Sequence, residues 1–323
     1  MMGVSLTVKH FGETEQREDN HTALTVGKFE SLHVGHRKLI RSVVAAAARN
    51  GLVPAVLTFE PNPVRALSNP GYKTVLTDAE KTGIFERLGV RMLVTLPFDR
   101  ETASMPPEEF LDIVFVKLKC RFLAVGEHFR FGAGRAGDAM LLKQAGERRG
   151  AEVEVFPNEA VEGCRVSTTR VREAIRANDF AACEKLLGFP YFVCGKVVHG
   201  LKLGRVLSFP TINVVPPEDK LLPNAGVYLT KTRLSGNHGS FATGSFDGVT
   251  NVGVKNRGGA AVRCVETHLF DFDGDVYGQD AAVAFFARLR DEMSFGTLEQ
   301  LREQIGVDVK KGRELLKNKS TFS

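Results

Sequence analysis

The chain has no tryptophan among its 323 residues, so that ring is missing from any platform for stacking nucleic-acid bases. It also lacks any conspicuous basic run. Its net charge of +5 is spread thinly, enough to favour polyphosphates but too diffuse for a nucleic-acid surface. Cysteine is sparse and odd in number. Cys120, Cys164, Cys183, Cys194 and Cys264 include no CxxC pair, which argues against a disulfide framework or a zinc knuckle and leaves small half-buried apolar residues. No apolar stretch approaches the length of a membrane helix, so no membrane association is expected. The opening residues, MMGVSLTVKHFGETEQRED, show no apolar block before a small-residue cleavage site. No export signal is therefore expected, and the expected location is cytoplasmic. Internal repeats and low-complexity segments are missing too. What is present is the composition of a globular protein, 43% apolar and 25% charged, long enough for two domains with separate cores.

Patterning divides the chain near residue 188. Before it, short apolar runs at 23–26, 53–59, 92–96, 122–125 and 151–156 alternate with amphipathic segments at 37–50, 79–88, 106–117 and 139–149. Gly51, Gly89 and Gly150 serve as helix stops, and Pro106 and Pro107 suit a first helical turn. Alternation of this kind predicts a doubly wound parallel sheet, which binds ligands beyond the C-terminal ends of its strands. After Leu187-Gly188-Phe189-Pro190 the pattern becomes β-type, at 191–198, 226–232, 261–270 and 281–286, predicting an all-β barrel or sandwich. A closing helix is expected behind Thr297 and Gln300, with Leu298, Leu301, Ile305 and Val309 as its apolar stripe. The expected domains are 1–187 and 188–323.

Four segments of the first half fall at expected strand ends. In Gly27-Lys28-Phe29-Glu30-Ser31-Leu32-His33-Val34-Gly35-His36, Gly27 permits a sharp turn, and His33 and His36 can face one way at a helix start that already attracts anions. Paired structural histidines fit the spacing equally well. Ser167-Thr168-Thr169 with Arg172 suits a second phosphate clamp, or a plain N-cap with solvated arginines. Gly126-Glu127-His128-Phe129-Arg130-Phe131-Gly132 and Phe59-Glu60-Pro61-Asn62-Pro63 are weaker signals that share the same edge.

Together and in this order, these segments resemble the nucleotidylyltransferase module of the bacterial bifunctional riboflavin kinase/FAD synthetase family, whose first motif has the form GxFDGxHxGH. The resemblance implies a Rossmann-like domain. ATP is implied against Gly27, Phe29, His33, His36, Ser167, Thr168 and Arg172, and FMN near Phe59, Pro61, Asn62, Pro63, Glu127, Phe129 and Arg130. His33, His36 and Arg172 would assist attack of the FMN phosphate on the α-phosphorus. The chain departs from the family pattern at Glu30 and Ser31 (Asp and Gly), Asn62 (His of FxPHP) and His128 (Asp of GEDFRFG). Should position 31 require positive φ, Ser31 would be strained there.

In the second half, Gly195-Lys196-Val197-Val198-His199-Gly200-Leu201-Lys202-Leu203-Gly204-Arg205 is a Gly-punctuated loop of the kind that approaches phosphates. Thr211 and Asn213 of Pro-Thr-Ile-Asn alternate onto one side of an extended segment, and Glu266 lies within an otherwise apolar run. A turn before a strand, and a strand Glu facing water, are the plainer readings. This half resembles riboflavin kinase, which implies a small β-barrel with a terminal helix. MgATP would be held by Gly195, Gly200, Lys202, Thr211 and Asn213, with Mg²⁺ on the last two. Glu266 would act as base on riboflavin, with the flavin near Arg290 and Phe295 at the helix-covered end. Ser208 stands where the family has Gly before Phe-Pro-Thr, and an RPTF segment is missing after Asn251-Val252-Gly253. The substitutions leave open a second expectation, a riboflavin kinase whose first module has become weakly active or regulatory. Phe246-Asp247-Gly248-Val249 mimics the first motif without its histidines and is expected to be a decoy.

Overall fold

A computed structural model describes residues 6–11, 20–64, 69, 71–200, 207–235, 245–257 and 260–318. The chain forms two compact units, Met1–Thr168 and Thr169–Ser323.

The first unit runs β1 (Thr7–His10), β2 (Thr22–Val26), α1 (Val34–Asn50), β3 (Val53–Glu60), α2 (Asp78–Arg87), β4 (Met92–Pro97), α3 (Arg100–Ser104), α4 (Pro107–Asp112), β5 (Cys120–Gly126), β6 (Arg130–Phe131), β7 (Gly137–Asp138), α5 (Ala139–Arg148), β8 (Glu152–Phe156), β9 (Ala160–Val161) and β10 (Cys164–Arg165). Six strands form one sheet in the order β1-β4-β3-β2-β5-β8, and every pairing is parallel. All five residues of β2 are buried, as a central strand covered on both faces requires. On one face, Leu24 and Val26 pack with Leu57, Val94, Leu123 and Val125. On the other, Ala23, Phe122 and Ala124 pack under Val43 and Ala47 of α1. From β2 the chain proceeds outward through β3 and β4, then returns to β5 on the opposite flank. That reversal opens a crevice at the C-terminal ends of β2 and β5. Gly51 ends α1 at φ +64, and Thr77 and Glu80 close a reciprocal capping box on α2. The single helix expected over 106–117 is instead α4 followed by a π-helical turn, Ile113–Lys117.

Helix α6 (Thr168–Ala177) starts at the last residue of the first unit and carries the chain into the second, which goes on with α7 (Phe180–Leu187). The second unit continues through β11 (Phe192–Val198), β12 (Ile212–Val215), β13 (Gly226–Ser235), β14 (Ser245–Arg257), β15 (Ala260–Leu269) and β16 (Asp280–Arg290) to α8 (Leu298–Asn318). The strands close into a barrel, β11-β12-β15-β14-β13-β16, with only antiparallel pairs. Short β12 and long β14 were not anticipated from patterning, and the expected decoy at 246–249 lies within β14, paired to β13 and β15. The wall buries a threonine ladder: the Thr250 hydroxyl lies 2.7 Å from that of Thr230 and 2.8 Å from that of Thr267. These hydroxyls satisfy one another where no water reaches. Phe180 of α7 completes an aromatic triangle with Tyr228 and Phe285, its ring centroid 5.7 and 5.6 Å from theirs, so α7 belongs to the packing of the barrel.

Helix α8 lies on the barrel through Val309, Leu315 and Leu316, against Val227, Leu229, Val249, Phe270 and Leu289. A Cβ on Gly312 would stand 3.1 Å from Val249 and 3.3 Å from Phe270, so the missing side chain sets how closely the helix approaches. The expected stripe is shifted along the helix, for Leu298 is half exposed. Ser208, in the family's glycine position, sits at φ +65, a conformation that disfavours any residue with a Cβ.

Two stability changes follow, both measurable by urea unfolding. Phe180→Ala should cost about 3–4 kcal/mol through the cavity it leaves. Ser208→Gly should gain about 0.5–1 kcal/mol, the left-handed penalty less the greater freedom of unfolded glycine.

Candidate active sites

In the first unit, the turn after β2 carries two bulky residues at positive φ, Phe29 (+46) and Leu32 (+47), both fully buried. Ser31 is not among the positive-φ residues, so the strain expected there falls on its neighbours. Its buried hydroxyl lies 3.0 Å from that of Thr168 and ties the first motif to the Ser-Thr-Thr segment. Gly27 is packed beneath the Phe29 ring, 3.1 Å from where a Cβ would stand.

His33 caps α1 in an uncommon way: its Nδ1 accepts the backbone N–H of His36 at 3.3 Å. A neutral imidazole accepting at Nδ1 carries its proton on Nε2. The two rings stack, centroids 3.7 Å apart and 12° from parallel, while Phe29 meets His36 edge-on at 5.2 Å. Burial, reinforced by the nearby Arg165 charge, lowers the His33 pKa to about 4. Burial also holds His36 well below the ordinary histidine value, with His33 as a second cause. Both rings are therefore neutral near pH 7. The Nδ1 of His36 is sealed from solvent with no hydrogen-bond partner among the described residues.

Phe59, Pro63 and Arg130 line a cavity of about 440 Å³ shared with Lys28, Phe98, Phe110 and Arg135. Three cations thus meet several aromatic rings. Burial lowers the Lys28 pKa, and Arg135 lowers it further. Pro61 follows a cis peptide bond. Asn62 points elsewhere, donating from Nδ2 to Glu30 at 3.4 Å while its Oδ1 accepts the Val64 N–H. Phe129 packs with Phe110 and Phe131. Glu127 is engaged by Asn158, whose backbone and side-chain N–H groups both donate to its Oε1. Ser167 immediately precedes α6, and Arg172 stands one turn into that helix, in the second unit.

In the second unit, Asn213 on β12 faces Glu266 on β15, and Glu266 in turn faces Asn251 on β14. The Thr211 hydroxyl donates to Glu266 Oε1 at 3.0 Å. Gly200 presses so closely on the Asn213 amide that any Cβ would overlap it, and Gly195 lies equally tight against the Val215 carbonyl. Asn213 Oδ1 is buried with no hydrogen-bond partner among the described residues. Beside this group Thr211, Phe272, Asp275 and Tyr277 line a cavity of about 520 Å³. Lys202 lies outside the described residues. Arg290 clasps Asp308 of α8 with Nε and Nη2 at 2.8–3.1 Å and lies 5.9 Å from the Phe295 ring. Gln304 also donates to Asp308, so this buried pair anchors the terminal helix.

Two family models match the chain, that of FAD synthetase over residues 15–170 and that of riboflavin kinase over 187–316. A bifunctional riboflavin kinase/FMN adenylyltransferase of Escherichia coli K12 is 35% identical over 293 residues, 90% of this chain and 91% of that protein. The chain belongs to the bifunctional riboflavin kinase/FMN adenylyltransferase family. A Listeria monocytogenes member is 31% identical over 91% of this chain and 92% of its own. The crystal structure of a macrolide-efflux protein from Streptococcus pneumoniae superposes with a TM-score of 0.82 at 28% identity, covering 95% of this chain and 98% of that one. Among the described residues, no helix is long and apolar enough to cross a membrane.

In this member of the bifunctional riboflavin kinase/FMN adenylyltransferase family, several site neighbours were not singled out from sequence: Lys28, Arg135, Arg165 and Asn251. Lys28 lies inside the first motif, so its place could have been noticed. The others come together only through pairing and folding.

The neutral histidines give stability a pH dependence of definite sign. Unfolded histidine titrates near 6.5, so below that pH the unfolded chain binds protons the folded unit rejects. Stability is full above about pH 7 and falls as pH drops towards 4, with His33 alone contributing about 3 kcal/mol. Urea unfolding at pH 7.5 and pH 5 should show this loss. His33→Asn, which keeps a capping side chain, should reduce it.

Proposed function

We propose that the first unit transfers the adenylyl group of ATP to FMN and the second phosphorylates riboflavin, with the residues assembled above as the two reaction centres. The observation that carries this reading is that each centre joins a built polar cluster to a cavity of suitable chemistry. An aromatic cavity edged by Lys28, Arg130 and Arg135 suits a flat ring system bearing a phosphate.

In the first unit, the N–H on His33 Nε2 and the α1 N-terminus are donors for the triphosphate. Thr168, fixed by Ser31, adds a hydroxyl. Ser167 completes the expected clamp within this unit. An oxygen of the FMN phosphate attacks the α-phosphorus as the bond to pyrophosphate breaks. The attacking oxygen is already ionised, so the imidazoles need only orient and donate. Gly27 and Phe29 shape the turn that holds them.

In the second unit, Glu266 is the base. It takes the proton of the ribityl hydroxyl as that oxygen attacks the γ-phosphorus and ADP departs. Thr211 holds the carboxylate in place. Gly195 and Gly200 let the backbone close over the phosphates. The oxygens of Thr211 and Asn213 suit a hard cation such as Mg²⁺, and Asn213 Oδ1, which has no hydrogen-bond partner among the described residues, is the kind of donor such a site requires. Mg²⁺ bound there would neutralise phosphate charge. Arg290 and Phe295 lie at the helix-covered end of the barrel, where the isoalloxazine is expected.

The test is chromatography of products from riboflavin, ATP and Mg²⁺. FMN and FAD should both appear. Glu266→Gln should lower FMN formation about 10²–10⁴-fold while leaving FAD synthesis from supplied FMN. His33→Asn should do the reverse, lowering FAD synthesis about a hundredfold. Loss of both activities in either variant would speak against separate centres.

A further inference from the structure

Two departures from the family pattern touch each other. Glu30 stands where the first motif has Asp, and Asn62 stands where FxPHP has His. Asn62 Nδ2 donates to Glu30 Oε2 at 3.4 Å. A third residue completes the contact, for the Tyr72 hydroxyl lies 3.0 Å from both carboxylate oxygens of Glu30. Glu30 as a whole is almost fully buried, at 7% exposure. Its backbone carbonyl also accepts the Leu76 N–H at 3.2 Å.

The bonds continue into the neighbouring loop. Asn62 Oδ1 accepts the Val64 N–H, the Val64 carbonyl accepts the Asn69 N–H, and the Asn69 carbonyl accepts the Tyr72 N–H. Tyr72 then returns to Glu30. Both segments joined in this way reach the cavity lining: Lys28, two residues before Glu30, and Pro63 and Val64, next to Asn62, all line it. A carboxylate held by side-chain donors in a buried site fixes geometry strongly, because losing a donor leaves it less well satisfied. Glu is one methylene longer than Asp and Asn is shorter than His, so the paired changes keep the two loops within bonding reach.

The geometry points to Glu30, Asn62 and Tyr72 as a positioning unit that sets the spacing between the Lys28 segment and the Pro63–Val64 segment for the flavin phosphate, with Glu30 and Asn62 acting as a matched pair. None of the three is a catalytic residue. The inference rests on the reading of this cavity as the FMN site.

The experiment uses the full chain with Tyr72→Phe, Glu30→Asp, Asn62→His and the Glu30→Asp/Asn62→His double variant. FAD formation from FMN and ATP is measured as KM for each substrate and kcat, with riboflavin phosphorylation by the same preparation as the folding control. Tyr72→Phe, which keeps the ring, should raise KM for FMN about tenfold with kcat and KM for ATP changed less than about twofold. Glu30→Asp and Asn62→His should each raise KM for FMN, and the double variant should recover most of the loss. An unmoved KM for FMN in Tyr72→Phe, or a double variant that merely sums the single losses, overturns the assignment. A parallel fall in riboflavin phosphorylation overturns it as well, since that marks a general folding role. Failure of the unaltered chain to make FAD would instead remove the reading on which the inference rests, so the two failures are distinguishable.

Discussion

A polar atom sealed from water without a partner costs roughly 1–3 kcal/mol, and among the described residues each unit carries one at its candidate site. In the first it is Nδ1 of His36, in the second Oδ1 of Asn213. Such atoms persist only where the surrounding scaffold holds them against relaxation. The parallel sheet does this by burying β2 completely and aiming its exit at the start of α1. The barrel does it by pinning Asn213 between Glu266 and the backbone of Gly200. Both scaffolds thus hold these polar groups in fixed positions, the condition under which the electrostatic assistance proposed above is largest.

The histidine pair shows how local chemistry serves this end. Capping α1 through Nδ1 determines which nitrogen of His33 keeps its proton, and burial keeps both rings neutral. A neutral stack avoids the repulsion that two imidazolium rings 3.7 Å apart would suffer. The capping and phosphate-binding readings of these residues are therefore compatible: the capping bond on one edge of the ring frees the other edge as a donor.

Departures from the family pattern have different physical consequences at different places. Ser31 adds a hydroxyl that meets Thr168, so its side chain joins two motifs. Glu30 and Asn62 meet each other and Tyr72. Ser208 retains a left-handed backbone that its Cβ disfavours. Substitutions that look alike in a motif comparison are thus bridging, coupled or strained according to the contacts each side chain finds.

Local patterning was enough to read the alternation that makes a parallel sheet, the β character of the second half, and the loops that carry the candidate residues. Each is a local property: apolar periodicity reports which face is buried, and Gly, Pro or Ser-Thr clusters report where an element stops. Only the tertiary structure decided partnership. Ser31 finds Thr168 137 residues away, Tyr72 finds Glu30 42 away, and Arg290 anchors to Asp308 in the last helix. Closure of the barrel likewise turned 246–249 from an apparent motif fragment into a wall strand, and gave Phe180 a place against Tyr228 and Phe285. Periodicity cannot encode these outcomes, because it fixes the direction of a side chain relative to its own element and not which distant element will face it.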